Sequence, residues 1–242
     1  MLAIQTKNLV KEYKNLIAVN KLNLEVEQGE LFSLLGVNGA GKSTTIKMLT
    51  GLAKPSGGDA FVGGYSVREE MEQVKRLIGV SPQETAVAPH LSVKENLELI
   101  CGIYGFSKDR TRTRVEELSK QFALESVIDR RAGKLSGGWQ RRVSIAMALI
   151  GEPRILFLDE PTLGLDVLAR SDLWEIIRNL RGKVTVILTT HYMEEAETLS
   201  DRIAIMKEGR LLLCAAVEEI KKIAQTDSFE QAFIRIVRGV EP

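Results

Sequence analysis

Residues 30–52 read ELFSLLGVNGAGKSTTIKMLTGL, a near-continuous apolar run that ends in glycine and passes into a helical pattern. A run that is apolar on both faces belongs to a strand buried in a parallel sheet. Parallel neighbours need crossover connections, so this stretch commits the chain to layers of sheet and helix. The joint itself, GVNGAGKST, fits G-x-x-x-x-G-K-[ST] in the strand–loop–helix setting that its mechanism requires. Backbone N–H groups of Gly36, Asn38, Gly39, Ala40 and Gly41 can wrap phosphates there, and the helix N-terminus adds partial positive charge. Lys42 is placed for the β- and γ-phosphates, Ser43 for a Mg²⁺ ion and Thr44 for the α-phosphate.

Other segments repeat the alternation. AIQTKNLV and LIAVNKLNLEV read as early strands, followed later by LIGVS, RILFLD and VTVILTT as buried strands. VLARSDLWEIIRNL separates the last two with helical spacing. Between Pro82 and Pro153 the pattern turns helical, through SVKENLELICGIYG, DRTRTRVEELSKQFAL and QRRVSIAMALI. A hairpin, RIAIMKEGRLLL, is expected to turn at Glu208-Gly209, and residues 217–242 read as two short helices. The chain divides into a β and phosphate-loop core (1–82 and 153–216), a helical insertion (83–152) and a helical tail (217–242).

Composition sets bounds on partners. With 33 basic and 32 acidic residues among 242, the formal charge of +1 gives no general attraction to nucleic acid, and none is expected as a partner. No apolar run approaches the roughly 18 residues needed to span a bilayer. The early charges of MLAIQTKNLVKEYK do not suit a secretory leader, so the chain is expected to stay inside the cell. Cys101 and Cys214 have neither metal nor redox spacing and read as reduced, buried thiols.

Two carboxylates follow the strand RILFLD. Strand carboxyl ends are where open α/β sheets bind ligands. Asp159 suits Mg²⁺, directly or through a bound water, and Glu160 suits the role of polarising an attacking water. His191 ends VTVILTT on the same edge, and Gln83, just after LIGVS, is placed to sense Mg²⁺ or the γ-phosphate. His90 has no such setting and reads as structural.

A second phosphate-suited turn stands at LSGGWQRR, where Ser136, Gly137 and Gly138 open another helix. It lies in the helical insertion, away from the first loop. The ordered series GVNGAGKST, SPQ, LSGGWQRR, ILFLDEP, LGLD, TTH resembles the nucleotide-binding subunit of ATP-binding cassette (ABC) transporters over nearly the whole chain. That resemblance implies an α/β fold: a P-loop NTPase core with a mixed, mainly parallel sheet, an N-terminal antiparallel β subdomain and an inserted helical subdomain.

The same resemblance implies ATP hydrolysis with Mg²⁺ by two subunits paired head to tail, each LSGG turn covering the other's ATP. It implies that Tyr13 stacks on adenine, that Gln83 links the γ-phosphate and Mg²⁺ to a membrane-facing groove, and that Asp166 joins the two sites. It implies that His191 contacts the γ-phosphate. Trp139 departs from the family's usual glutamine, and Val167 from its frequent proline. ENLELICGIYG, PTLGLDVLARSDLWEII, THYMEEAETLSDRIAIMKEGRLL and SFEQAFIRI resemble exporter subunits for drugs, antibiotics, lipids or polysaccharides. A second copy of the chain and a separate permease are then the expected partners, at the cytoplasmic face of the membrane. An importer-type subunit and a soluble, non-transport ABC ATPase are the alternatives.

Overall fold

In the computed structural model, which describes residues 1–239, strand alternation decides what each layer packs against. The N-terminal half begins with β1 (Leu2–Tyr13), β2 (Leu16–Glu27) and β3 (Leu31–Leu35). The phosphate loop then leads into α1 (Lys42–Leu49), followed by β4 (Gly57–Val62), β5 (Tyr65–Ser66), α2 (Met71–Leu77) and β6 (Ile78–Ser81). Three helices come next, α3 (Val93–Ile103), α4 (Lys108–Gln121) and α5 (Gly137–Ala148). Beyond them lie β7 (Ile155–Asp159), α6 (Val167–Arg178), β8 (Thr185–Thr190) and α7 (Met193–Leu199). The described chain closes with β9 (Arg202–Lys207), β10 (Arg210–Ala215), α8 (Val217–Ile223) and α9 (Phe229–Arg238).

One sheet has the order β10-β9-β3-β8-β7-β6, parallel throughout except where β10 pairs antiparallel with β9. The other, β2-β1-β4-β5, is antiparallel. Successive side chains leave opposite faces of a strand. Phe32, Leu34, Phe157, Ile187 and Met206 therefore face α1 and the antiparallel sheet in one core. Leu31, Leu156, Leu158, Val186 and Leu188 face the other way, into a core shared with α3, α4, α5 and α6. Ile203 and Ile205 share that second face with α7, α8 and α9. This two-sided burial explains why the central strands are continuous apolar runs.

The helical insertion is built from strong local signals. Ser92 caps α3 by accepting the Glu95 N–H at 3.1 Å, while the Glu95 carboxylate accepts the Ser92 N–H at 2.7 Å. Buried Asn96 pins the preceding loop, accepting the Ala88 N–H and donating to the Ala88 and Ser92 carbonyls. The hairpin turns at Glu208-Gly209, both with positive φ, in the two-residue geometry that matches strand twist.

Sequence reading left residues 57–76 unassigned; they form β4, β5 and most of α2, whose last residue, Leu77, was read as the start of the strand LIGVS. Gly57, Gly58, Gly63 and Gly64 make this stretch look like loop, and its strand character comes from pairing with β1. Within the tail the described residues form α8 and α9, and residues 240–242 lie outside the described residues. Cys101 is buried as expected, but Cys214 is only part-buried, its sulfur accepting from Arg202 at 3.2 Å. Both thiols are free.

Candidate active site

Four strand ends deliver the candidate residues to one cavity of about 610 Å³, which residues 38–44, Tyr13, Gln83, Glu160 and His191 line. Register does this: β3 pairs with β8, β8 with β7 and β7 with β6, so the segments that follow them emerge on a common edge. The loop after β3 requires glycine at Gly41. Its φ is +100°, and a β-carbon there would come within 2.5 Å of the Ala18 carbonyl oxygen. This close approach sets the loop against β2, whose exposed Leu16 and Ile17 line the cavity beside exposed Tyr13. Lys11 places its ammonium 4.8 Å from the Tyr13 ring centroid. A larger groove, about 750 Å³, lies between α3 and α4 and contains none of the strand-end groups.

Lys42 is buried and folded onto the loop. Its Nζ donates to the Gly36 carbonyl at 2.7 Å and the Val37 carbonyl at 3.3 Å, and lies 3.6 Å from Glu160 Oε1. Burial lowers the Lys42 pKa, and the adjoining Glu160 carboxylate opposes that shift. Glu160 is 6% exposed and holds a left-handed φ of 50°. Its N–H donates to Thr189 Oγ1 at 3.0 Å and its Oε2 lies 2.7 Å from His191 Nδ1. A non-glycine residue with positive φ at a strand end is strain of order 1 kcal/mol or more, kept where the surroundings over-determine it.

Asp159 Oδ1 accepts from Ser43 Oγ at 3.0 Å and from Thr189 Oγ1 at 2.5 Å. This hydroxyl–carboxylate pair beside a phosphate loop is a hard-oxygen set. It fits Mg²⁺, which takes one or two protein ligands and draws the rest from water and phosphate.

The other predicted residues lie elsewhere. Ser136 is exposed, and its hydroxyl accepts none of the first-turn N–H groups of α5. Gly138 packs against the start of α6, where an added β-carbon would stand 2.9 Å from the Ala169 methyl. Asp166 caps α6, accepting the Ala169 N–H at 2.9 Å. The Ser136 turn and Asp166 are thus neighbours, and neither lines the cavity. Trp139 is part-buried against the helical core, with the Arg142 guanidinium 4.7 Å from its ring centroid.

Two contributors were not anticipated. Thr189 ties Asp159 to the backbone of Glu160, its Oγ1 donating to Asp159 Oδ1 and accepting the Glu160 N–H; its signal is the polar end of VTVILTT. Arg141, 4% exposed, donates to the Pro82 carbonyl at 2.6 Å and the Gln83 carbonyl at 2.5 Å, tying α5 to the loop that carries Gln83. Nothing in QRRVSIAM distinguishes it from Arg142.

Comparison with known proteins points to one family. Residues 19–163 match the ABC transporter family. The chain is 44% identical over 209 residues to the Nod factor export ATP-binding protein I of Burkholderia orbicola, covering 86% of this chain and 68% of that protein. It is also 44% identical over 220 residues to the daunorubicin/doxorubicin resistance ATP-binding protein DrrA of Streptomyces peucetius, covering 90% and 67%. Among solved structures, it resembles the post-hydrolysis dimer of the ATP-binding cassette MJ0796 bound to ADP and Pi. That likeness has a TM-score of 0.79 and 30% identity, covering 88% of this chain and 98% of that one. The family match takes in both the phosphate loop and the acidic strand end, and the two relatives extend it over most of the remainder. This chain belongs to the ABC transporter family and is an ATPase of the P-loop type.

Proposed function

We propose that the chain is the ATP-driven motor of an exporter, paired head to tail with a second copy and coupled to a separate membrane permease. Its place is then the cytoplasmic face of the membrane; no described helix is long and apolar enough to cross one. The names of the two 44% identical relatives, one exporting Nod factor and one conferring daunorubicin/doxorubicin resistance, favour a drug, antibiotic, lipid or polysaccharide as cargo. The reading treats 1–242 as one ABC ATPase domain, with core 1–82 and 153–216, insertion 83–152 and tail 217–242. The observation that carries it is the Lys42–Glu160–His191 cluster in the cavity, together with a phosphate-suited turn at Ser136 that lies outside it.

The mechanism follows from that separation. The ATP base lies against Tyr13, Leu16 and Ile17, and the phosphates take the N–H groups of residues 38–44. Lys42 exchanges the Gly36 and Val37 carbonyls for the β- and γ-phosphates. Ser43 and Asp159 would hold Mg²⁺, with Gln83 close by, and the ion would neutralise phosphate charge. Ser136, Gly137 and Gly138 of the second copy cover the γ-phosphate, with Asp166 at the seam. Closure excludes water and strengthens every charge interaction inside. Glu160, held by His191, orients one water and accepts its proton. The water oxygen bonds to the γ-phosphorus as the bridging oxygen leaves with ADP.

Glu160→Gln tests the reading. It is expected to bind ATP normally, hydrolyse it about a thousandfold more slowly, and accumulate an ATP-dependent dimer in gel filtration. Wild-type turnover in this variant would overturn the assignment.

A further inference from the structure

His191 is held on two sides. Its Nδ1 meets Glu160 Oε2 at 2.7 Å, while its ring centroid lies 4.1 Å from that of Tyr192, with the planes tilted by 39°. The Tyr192 backbone N–H donates to Thr190 Oγ1 at 2.9 Å, which keeps the tyrosine at the end of β8. Above the Tyr192 ring, 4.7 Å from its centroid, sits the guanidinium of Arg170.

Arg170 has other choices. It borders a cavity that Glu194, Glu197, Asp227 and Glu230 also line, yet it forms no ion pair among the described residues. Its Nε is buried without a hydrogen-bond partner. A cation that forgoes nearby carboxylates and leaves a desolvated donor is committed to the ring it covers. It also stands one turn into α6, its N–H donating to the Asp166 carbonyl at 3.0 Å. Guanidinium, phenol ring, imidazole and carboxylate therefore form an unbroken series from the start of α6 to Glu160.

We propose that Arg170 and Tyr192 are positioning residues that hold the His191 ring in register with Glu160 and tie that register to the first turn of α6. The inference rests on the reading of Glu160 and His191 as the hydrolytic pair. Its consequence is control: Asp166, at the head of the same turn, is where the second cassette is expected to seat. Movement of that turn would carry His191 into or out of alignment, so that hydrolysis waits for the neighbour.

The test uses the purified full chain, with steady-state ATP hydrolysis and equilibrium ATP binding measured on Tyr192→Ala, Tyr192→Phe, Arg170→Met and His191→Ala. Tyr192→Ala and Arg170→Met are expected to lower kcat about tenfold and change KM by less than about twofold, as a small misplacement of a catalytic group does. Tyr192→Phe, which keeps the ring, is expected to recover most of the lost rate. Adding Tyr192→Ala to His191→Ala is expected to lower the residual rate no further. Should Tyr192→Ala fail to fold, Arg170→Met, close in bulk, carries the same comparison.

Full activity in both Tyr192→Ala and Arg170→Met would overturn the inference. So would losses that multiply on top of His191→Ala. An inactive His191→Ala beside fully active Tyr192→Ala and Arg170→Met refutes this inference alone. Wild-type turnover in His191→Ala would remove the hydrolytic reading and the inference together.

Discussion

Beside the Lys42–Glu160–His191 network lies another carboxyl, Glu195, whose protonated form burial favours. Lys42, Glu160 and His191 lie within one network at distances from 2.7 to 3.6 Å. In α7, Glu195 has no exposed surface and accepts from Trp174 Nε1 at 3.1 Å. Burial, reinforced by the Glu160 charge, raises the Glu195 pKa above its ordinary value of 4.5. The native state then binds more protons than the unfolded chain above that value. The stability tied to this proton is intact below about pH 4.5 and is lost as pH rises through the folded-state pKa. Glu195→Gln keeps the acceptor for Trp174 and cannot ionise. Its melting temperature relative to wild type is therefore expected to rise between acid and neutral pH, read by thermal melts in matched buffers. A constant difference across that range would show that Glu195 is not held neutral.

At the scale of elements, the proposed pairing gives the opening turn of α5 a part in the neighbour's site. Ser136 is exposed and uncommitted to its own helix, while Gly138 is locked against Ala169 of α6. A large side chain at 136 thus has room in the monomer and none in a closed pair. Ser136→Arg is expected to bind ATP with an affinity within about twofold of wild type, yet to lose ATP-dependent dimerisation and at least about a hundredfold in turnover. Titration with a fluorescent ATP analogue, gel filtration and a phosphate-release assay together check this. Loss of monomer binding would contradict a turn that serves a neighbour. The same elements show what sequence pattern reaches. The strands β3, β7 and β8 and the helices α3 to α6 were legible, because burial on both strand faces and helical spacing leave a local signature. The β4–β5 pair was not, because glycine-rich residues 57–64 become strand only through the ladder to β1.

For the whole molecule, the cavity draws on β2, the loop after β3, and the ends of β6, β7 and β8, so occupying it links segments from both sheets. A ligand that binds only this assembled state stabilises it by mass action, by about 2.7 kcal/mol at a hundred times its Kd. For a chain of this size that is a rise of about 5–10 °C in Tm. Mg·ATP is expected to produce it in differential scanning fluorimetry, and chelating the metal to reduce it. Lys42→Ala is expected to shrink the ATP-dependent rise to under about 2 °C. An undiminished rise in that variant would place the phosphates elsewhere.

Taken alone, the sequence determined the phosphate loop, the acidic pair of Asp159 and Glu160, the histidine at a strand end and the second turn at Ser136. Each is written in consecutive residues whose chemistry depends on local spacing. Tertiary structure alone decided that Thr189 bridges the Asp159 carboxylate and the Glu160 backbone N–H, that Arg141 holds the Gln83 loop, and that Arg170 covers Tyr192 beside His191. Those contacts join residues brought together by strand register and helix packing, and no local pattern encodes a contact whose partner lies in another element.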